Sequence, residues 1–433
     1  MNFKHTKFSV LVCVAMAVCG CKKTEVLTGQ RENLEGITYT ELNVSQDLKN
    51  IPVTVQPSLN NNNELTDLYG NQQHLAINHI LSKHPKIKWC QKLGKRPIVS
   101  NILVLKNCIF MINGNGNLCC LDKRSGKLIW EKEISKQPRY GRFSGGITTD
   151  GRMIYAVTNT SEVSAFDITN QKVIWKKTLD DMGKGAPVCA CGKVIVSTAS
   201  NRTYALNPKD GSVLWGYKAS KEQETLAVLG TPAVYKDNII CVYSNGDVVS
   251  LRISDGSVIW SDVLVPKSLL RSGGSLSLHI SASPIVIGDK VLVINAFSTM
   301  SMFNAQTGNR IWSKDIGSVS HPAVIDHNWM FMLSDTDLLC MSIKNGDIKW
   351  KINDSKRLIR QNKDFKKCTW YGPLVVNGQV WIFGEFANIL KYDISNGKFL
   401  GETYLHHVRY RDTPVIVGNT MYAPVYGKIY AIG

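Results

Sequence analysis

The chain has 433 residues, 44% of them hydrophobic and 20% charged, a globular composition that can bury a large core and excludes wholesale disorder. The formal net charge is +17, which alone would suit a nucleic-acid surface. The lysines and arginines are scattered, however, with no basic stripe interleaved with aromatics. The charge is read as a cationic surface facing anionic lipid heads or an acidic partner, with no nucleic acid.

From the N-terminus, Lys4 and Lys7 precede an apolar run from Phe8 to Val18. A bilayer-spanning helix needs about 20 residues, so this run is too short and fits the apolar region of a secretory signal. Val18-Cys19-Gly20-Cys21 comes next and resembles a bacterial lipobox, in which small residues precede a cysteine that is diacylated and becomes the new N-terminus. Residues 1–20 are expected to be a lipoprotein signal peptide and Cys21 the lipid attachment site. Lys22 stands where an aspartate would resemble an inner-membrane retention signal, so the expected location is the periplasmic face of the outer membrane. Residues 21–85 include Asn60-Asn61-Asn62-Asn63 and few regularly spaced apolar residues. They are expected to be a flexible, lipid-anchored tether with a short helix near Leu75–Leu81.

Beyond Cys21 there are nine cysteines, at 90, 108, 119, 120, 189, 191, 241, 340 and 368. No CxxC pair or paired-histidine spacing occurs, so no metal site is expected. Most of these cysteines lie within apolar strand patterns, where Cys behaves as a small hydrophobe. A periplasmic location would permit disulfides, and the sequence assigns no connectivity.

From residue 86 onward an internal repeat dominates. Gly126-Lys-Leu-Ile-Trp130 recurs as phrases ending at Trp215, Trp260, Trp312 and Trp350. The phrase ending at Trp175 has Gln171 in place of glycine, and Gly397-Lys-Phe-Leu-Gly401 has lost the tryptophan. Pro187, Pro232, Pro284 and Pro322 each lie 28 residues before the phrase's tryptophan, and Pro373 lies 28 before Gly401. Between these marks the pattern is four short apolar strands broken by turns such as Asn245-Gly246 and Asp255-Gly256. Such dipeptides supply the positive φ that tight hairpins need. Units of about 40 residues with four antiparallel strands are propeller blades.

Seven units end by Gly401 and an eighth begins at Thr413-Pro414. The chain stops before that unit's fourth strand, and Ile87-Lys88-Trp89 has the matching ending. The expected fold is therefore all-β: an eight-bladed propeller of four-stranded antiparallel blades over residues 86–433, closed by an N-terminal strand. Trp89, Trp130, Trp175, Trp215, Trp260, Trp312 and Trp350 are read as wedges between neighbouring blades.

The phrase Asp/Asn-x-x-x-Gly-x-x-x-Trp, seen at Asp122–Trp130, Asn207–Trp215 and Asn304–Trp312, resembles the repeat of pyrroloquinoline-quinone propellers. Two families share it: quinoprotein dehydrogenases and BamB, the lipoprotein subunit of the machinery that inserts β-barrels into bacterial outer membranes. Residues 86–433 resemble BamB more closely, through the lipobox, the eight-blade count in a chain of this length and the lost tryptophan at Gly401. The alternative is a periplasmic quinoprotein dehydrogenase. Cys119-Cys120 is similar to the adjacent disulfide of some such enzymes, and the channel of the fold could hold a cofactor. Against it, no cluster of Glu, Asn and Asp suits calcium, and no Ser-His-Asp or Gly-x-Ser-x-Gly pattern occurs. His406 and His407, if on a strand, would point to opposite faces and could not share a metal. The chain is read as a non-enzyme with no cofactor and no catalytic residue.

The BamB resemblance implies docking on the periplasmic POTRA domains of a BamA-like partner, with contact to nascent outer-membrane proteins as a further implied role. The docking loops correspond to 221–231 and 266–283. Where the family carries two leucines and an arginine, this chain has Glu224, Leu226 and Ala227. Where the family carries two aspartates, it has His279 and Ser281. The candidate partner-binding residues are Leu226, Arg271, Leu276 and Leu278. Leu264, Leu269 and Leu270 add to an unusually apolar stretch, about half of which is expected to pack beneath the loop.

Overall fold

A computed structural model describes residues 43–49, 51–53, 64–67, 72–73, 78–135, 145–158, 160–219, 230–264, 282–294, 299–316, 323–325, 328–334, 337–353 and 368–433. The chain divides into two units, Met1–Glu41 and Leu42–Gly433. The described residues of the second unit form eight four-stranded antiparallel sheets in a propeller arrangement, with no helix among them.

Blade 4 shows how the sequence builds one unit. Its strands are Ala233–Tyr235, Asn238–Val242, Asp247–Arg252 and Val258–Val263. The turn between the second and third strands holds Gly246 at φ +86°, and Gly256 at φ +76° turns into the fourth. Each inner strand is buried on both faces, so it reads as an unbroken apolar run. Alternation then divides the residues between two cores. Ile239, Cys241 and Tyr243 pack toward blade 3, with Val188 and Ile195. Ile240 and Val242 pack toward blade 5, with Val291 and Val293.

Pro187, Pro232, Pro284, Pro373 and Pro414 sit at or just before the innermost strand of their blade. Within its sheet that strand pairs on one side only, so a missing N–H on its other edge breaks no ladder bond of the blade. Pro187 and Pro373 fall inside Gly183–Ala190 and Trp370–Val376, where the register shifts on either side of them.

The eighth sheet consists of Val415–Val417, Thr420–Val425, Lys428–Ile432 and, outermost, Ile87–Lys92. Trp89 pairs with Ala431, and Gln91 with Ile429. Trp89 also packs with Leu121 and Val104 of blade 1 and with Tyr422 of blade 8.

The segment read as a tether is bonded to the propeller at each of its described stretches. Val44 bridges Ile348 on the outer strand of blade 6 in parallel, and Ser45 donates to the Ile348 carbonyl at 2.8 Å. Val53 is buried in the core between blades 6 and 7. Lys349 is buried, and its ammonium donates to the carbonyls of Leu48 at 2.7 Å and Ile51 at 2.5 Å. Residues 78–81 are not helical: His79 bridges Val376, and its N–H and C=O bond to Val375 and Asn377 instead of within a helical turn. Residues 75–77 of the expected helix lie outside the described residues.

Candidate functional site: the inter-blade belt and the axial channel

The tryptophans and glycines of the repeat meet across blades. A β-carbon on Gly211 would stand 2.5 Å from the Trp175 ring, and one on Gly256 would stand 2.7 Å from Trp215. The indole N–H groups of Trp175, Trp215, Trp260, Trp312 and Trp350 each donate to a carbonyl of the following blade, at 2.8–3.1 Å. Trp130 instead packs between Phe110 and Phe166, with centroids at 5.9 and 5.3 Å. The following phrase has Gln171 for glycine, and Gln171 still takes φ +51°.

A second belt lies at the start of the inner strands. Thr231 Oγ1 accepts from the Ala186 N–H of blade 3 at 2.9 Å, and Ser283 Oγ accepts from the Thr231 N–H at 3.0 Å. Thr413 does the same for Gly372 at 3.0 Å. A β-carbon on Gly230 would stand 2.5 Å from the Ala282 carbonyl. The bases of the two candidate docking loops are therefore fixed side by side. Sequence reasoning missed these hydroxyls, although the signal was there: a Ser or Thr directly before the repeat proline, at Thr231, Ser283 and Thr413.

Leu264, at the root of the second loop, is fully buried between blades 4 and 5. Leu226, Leu269, Leu270, Arg271, Leu276, Leu278, His279 and Ser281 lie outside the described residues, as does Cys21.

Around the axis, residue after residue of the N-terminal segment bonds to the innermost strands. Leu65 and Val104 of blade 1 exchange both main-chain bonds, at 2.7 and 2.9 Å. Asp67 accepts from Thr148 of blade 2 at 2.9 Å, and burial pushes its carboxyl pKa up. Gln72 donates through its side chain to the Cys189 carbonyl of blade 3. The Gln72 and Gln73 carbonyls accept from Val234 of blade 4 and Val286 of blade 5, both at 2.9 Å. His79 bonds to Val375 and Asn377 of blade 7 at 2.9 and 2.8 Å. Two consecutive residues can reach three blades only where the blades converge, at the channel.

No group of three or more His, Cys, Asp or Glu among the described residues could hold a metal ion. All nine described cysteines are free thiols. Cys119 and Cys120 point to opposite faces of their strand, one into the core shared with blade 8 and the other into the core shared with blade 2. Burial, aided by Glu131, pushes the Cys119 thiol up to about 12, and the placement of the two side chains in separate cores does not suit a disulfide between them. His406 and His407 lie in a turn and not on a strand, with centroids 6.3 Å apart.

The sequence profile for the family described as outer membrane protein assembly factor BamB matches residues 114–352. The chain belongs to that family. The outer membrane protein assembly factor BamB of Yersinia pestis is 21% identical over 332 residues, covering 75% of this chain and 81% of the relative. The crystal structure of BamB from Moraxella catarrhalis superposes with a TM-score of 0.67 at 14% identity, covering 80% of this chain and 99% of that one. A europium-containing methanol dehydrogenase reaches the same TM-score, 0.67, at 11% identity over 87% of this chain and 98% of its own. At such identities the structural likenesses establish the propeller alone, and the family assignment rests on the sequence match.

Proposed function

We propose that this chain is a non-enzymatic scaffold lipoprotein of the outer-membrane β-barrel assembly machinery. It would be held to the periplasmic face of the outer membrane by lipid on Cys21. It would bind the POTRA domains of a BamA-like partner through the loops at 221–231 and 266–283, and would assist insertion of outer-membrane proteins. The observation that carries this reading is the BamB profile match over residues 114–352. Support comes from the C-terminal roots of those loops, where Thr231 and Ser283 lock blades 3, 4 and 5 together. A rigid base favours a docking patch, because loops held at their roots lose less entropy on binding.

The deciding experiment is a pull-down with the POTRA domains of the same organism, comparing wild type with Leu226→Ala and Arg271→Ala. Loss of a hot-spot contact weakens binding by at least about 2 kcal/mol, roughly thirtyfold. Tight binding indifferent to both changes would move the interface elsewhere, and no binding by wild type would reject the scaffold reading. The dehydrogenase alternative makes the opposite prediction: a bound-quinone spectrum and dye-linked alcohol oxidation after incubation with pyrroloquinoline quinone and calcium.

A further inference from the structure

The innermost strand of each blade turns one edge toward the axis. Unpaired edges offer N–H and C=O groups to any extended chain that can reach them, and buried N–H groups left without a partner are costly. In this protein the partner is its own N-terminal segment, and the contacts follow the repeat. Cys189, Val234, Val286 and Val375 each lie two residues after their blade's proline, and Val104 is the equivalent residue of blade 1. The main-chain groups of all five bond to the segment between Glu64 and Leu81. It is one binding position used five times, not a set of unrelated contacts.

Side chains fix the register of the segment. Leu65 is 6% exposed in the core with Ile102, and Leu81 is 4% exposed in the core with Tyr410. Asn377 brackets Leu81, accepting from its N–H at 3.1 Å and donating to its carbonyl at 2.7 Å. Asn78 accepts from the Gly378 N–H at 3.1 Å. Main-chain bonds supply the attachment and side-chain pockets supply the register, the same division of labour as in main-chain peptide recognition, but spread over several blades instead of one sheet edge.

We propose that the axial edges of the inner strands form a binding site for polypeptide main chain, and that the described stretches 64–67, 72–73 and 78–81 are its resident intramolecular ligand. The site takes main-chain carbonyl acceptors at the level of Val104, Val234 and Val286. It takes a leucine at each end, a short acidic side chain beside Thr148 and an amide side chain at the Gly378 N–H. The inference is independent of POTRA binding, since it concerns the channel and not the outer loops.

The experiment uses the full chain. In one variant, residues 64–81 are replaced by Gly-Ser sequence of equal length, leaving 43–53 and the strand at Ile87–Lys92 in place. Hydrogen exchange is followed at the Val104, Val234, Val286 and Asn377 amides, and the melting temperature is measured. The expected result is a lower melting temperature and at least tenfold faster exchange at those four amides. A synthetic 64–81 peptide should restore both saturably, and a scrambled peptide should be at least tenfold weaker. A folded variant that matches wild type, or that ignores the peptide, overturns the proposal. Should the variant fail to fold, a second one decides, carrying a specific protease site inserted between the exposed residues Lys83 and His84. After cleavage a bound ligand keeps the four amides protected, and loss of protection at cleavage overturns the proposal.

Discussion

Trp89 lies against Gly126 so closely that a β-carbon on the glycine would stand 2.4 Å from the indole ring. Trp89 belongs to the sheet that holds the C-terminal strand, and Gly126 belongs to blade 1. The contact thus has the form found between Trp215 and Gly256, and joins the sheet that holds the C-terminal strand to blade 1. Gly126 also has φ +72°. Gly126→Ala is expected to cost roughly 1–2 kcal/mol for the backbone and about 1–3 kcal/mol for overpacking. Gly151→Ala is the control, since Gly151 has φ +93° and open space around it. Urea denaturation should show Gly126→Ala clearly more destabilised than Gly151→Ala; equal losses would mean that the indole contact contributes nothing.

The hydroxyl of Thr231 accepts from the buried Ala186 N–H and so ties blade 4 to blade 3. Valine has nearly the same shape and cannot accept a hydrogen bond. Thr231→Val should therefore cost on the order of 1–3 kcal/mol, the penalty of a buried donor left unmade, and Thr231→Ser should recover most of it. A valine variant that melts with wild type would show that the belt is dispensable.

Blades were legible because one short phrase fixes both a turn and a wedge. Gly256 announces the turn before the fourth strand, and Trp260 announces the contact with the next blade, where its N–H reaches the Ala305 carbonyl at 2.9 Å. The N-terminal segment was not legible. Its bonds to the propeller are mostly main-chain bonds, which leave no periodic mark in side-chain sequence, and polar residues such as Gln72 and Gln73 read as solvated linker. One clue was present. The residue before the phrase tryptophan is an exposed apolar one at Ile129, Ile174, Leu214 and Ile311, but Lys349 in blade 6. That lysine is the residue that holds Leu48, Lys49 and Ile51.

Lys349→Met tests that clamp. The ammonium bonds to three carbonyls, those of Leu48, Lys49 and Ile51, and lies 5.3 Å from the Trp329 ring centre. Methionine keeps most of the packing but none of the donors. Charged hydrogen bonds contribute about 1.5–3 kcal/mol, so residues 43–53 should come free of blade 6 and be cut early in limited proteolysis. Cleavage at the wild-type rate would count against the clamp.

Cys21→Ser addresses the proposed anchor. A diacylated cysteine holds a protein to a bilayer through two buried chains, which together resist salt and dilution. The serine variant should appear in the soluble fraction after cell lysis, with wild type in the membrane pellet. A variant that stays in the pellet after salt washing would place the anchor elsewhere.

His79 gives the segment in the channel a pH signature. Burial pushes its imidazole pKa down from 6.5 to about 4, while its N–H and C=O stay bonded to Val375 and Asn377. As pH falls below 6.5 the unfolded chain takes up a proton that the folded chain refuses, so stability is lost between about pH 6.5 and pH 4 and levels off below. Above pH 6.5 the contribution is fully present. The loss is at most about 3 kcal/mol, at 1.36 kcal/mol per pKa unit. His79→Gln keeps a neutral polar side chain and both main-chain bonds, so its stability should vary less across that window. The Asp67 carboxyl, raised by burial, titrates with the opposite sign, but it is present in both proteins and largely cancels in the difference. Denaturant titrations at pH 7, 5.5 and 4.5 check this directly. Parallel curves for wild type and His79→Gln would mean that the imidazole is free to protonate in the folded protein.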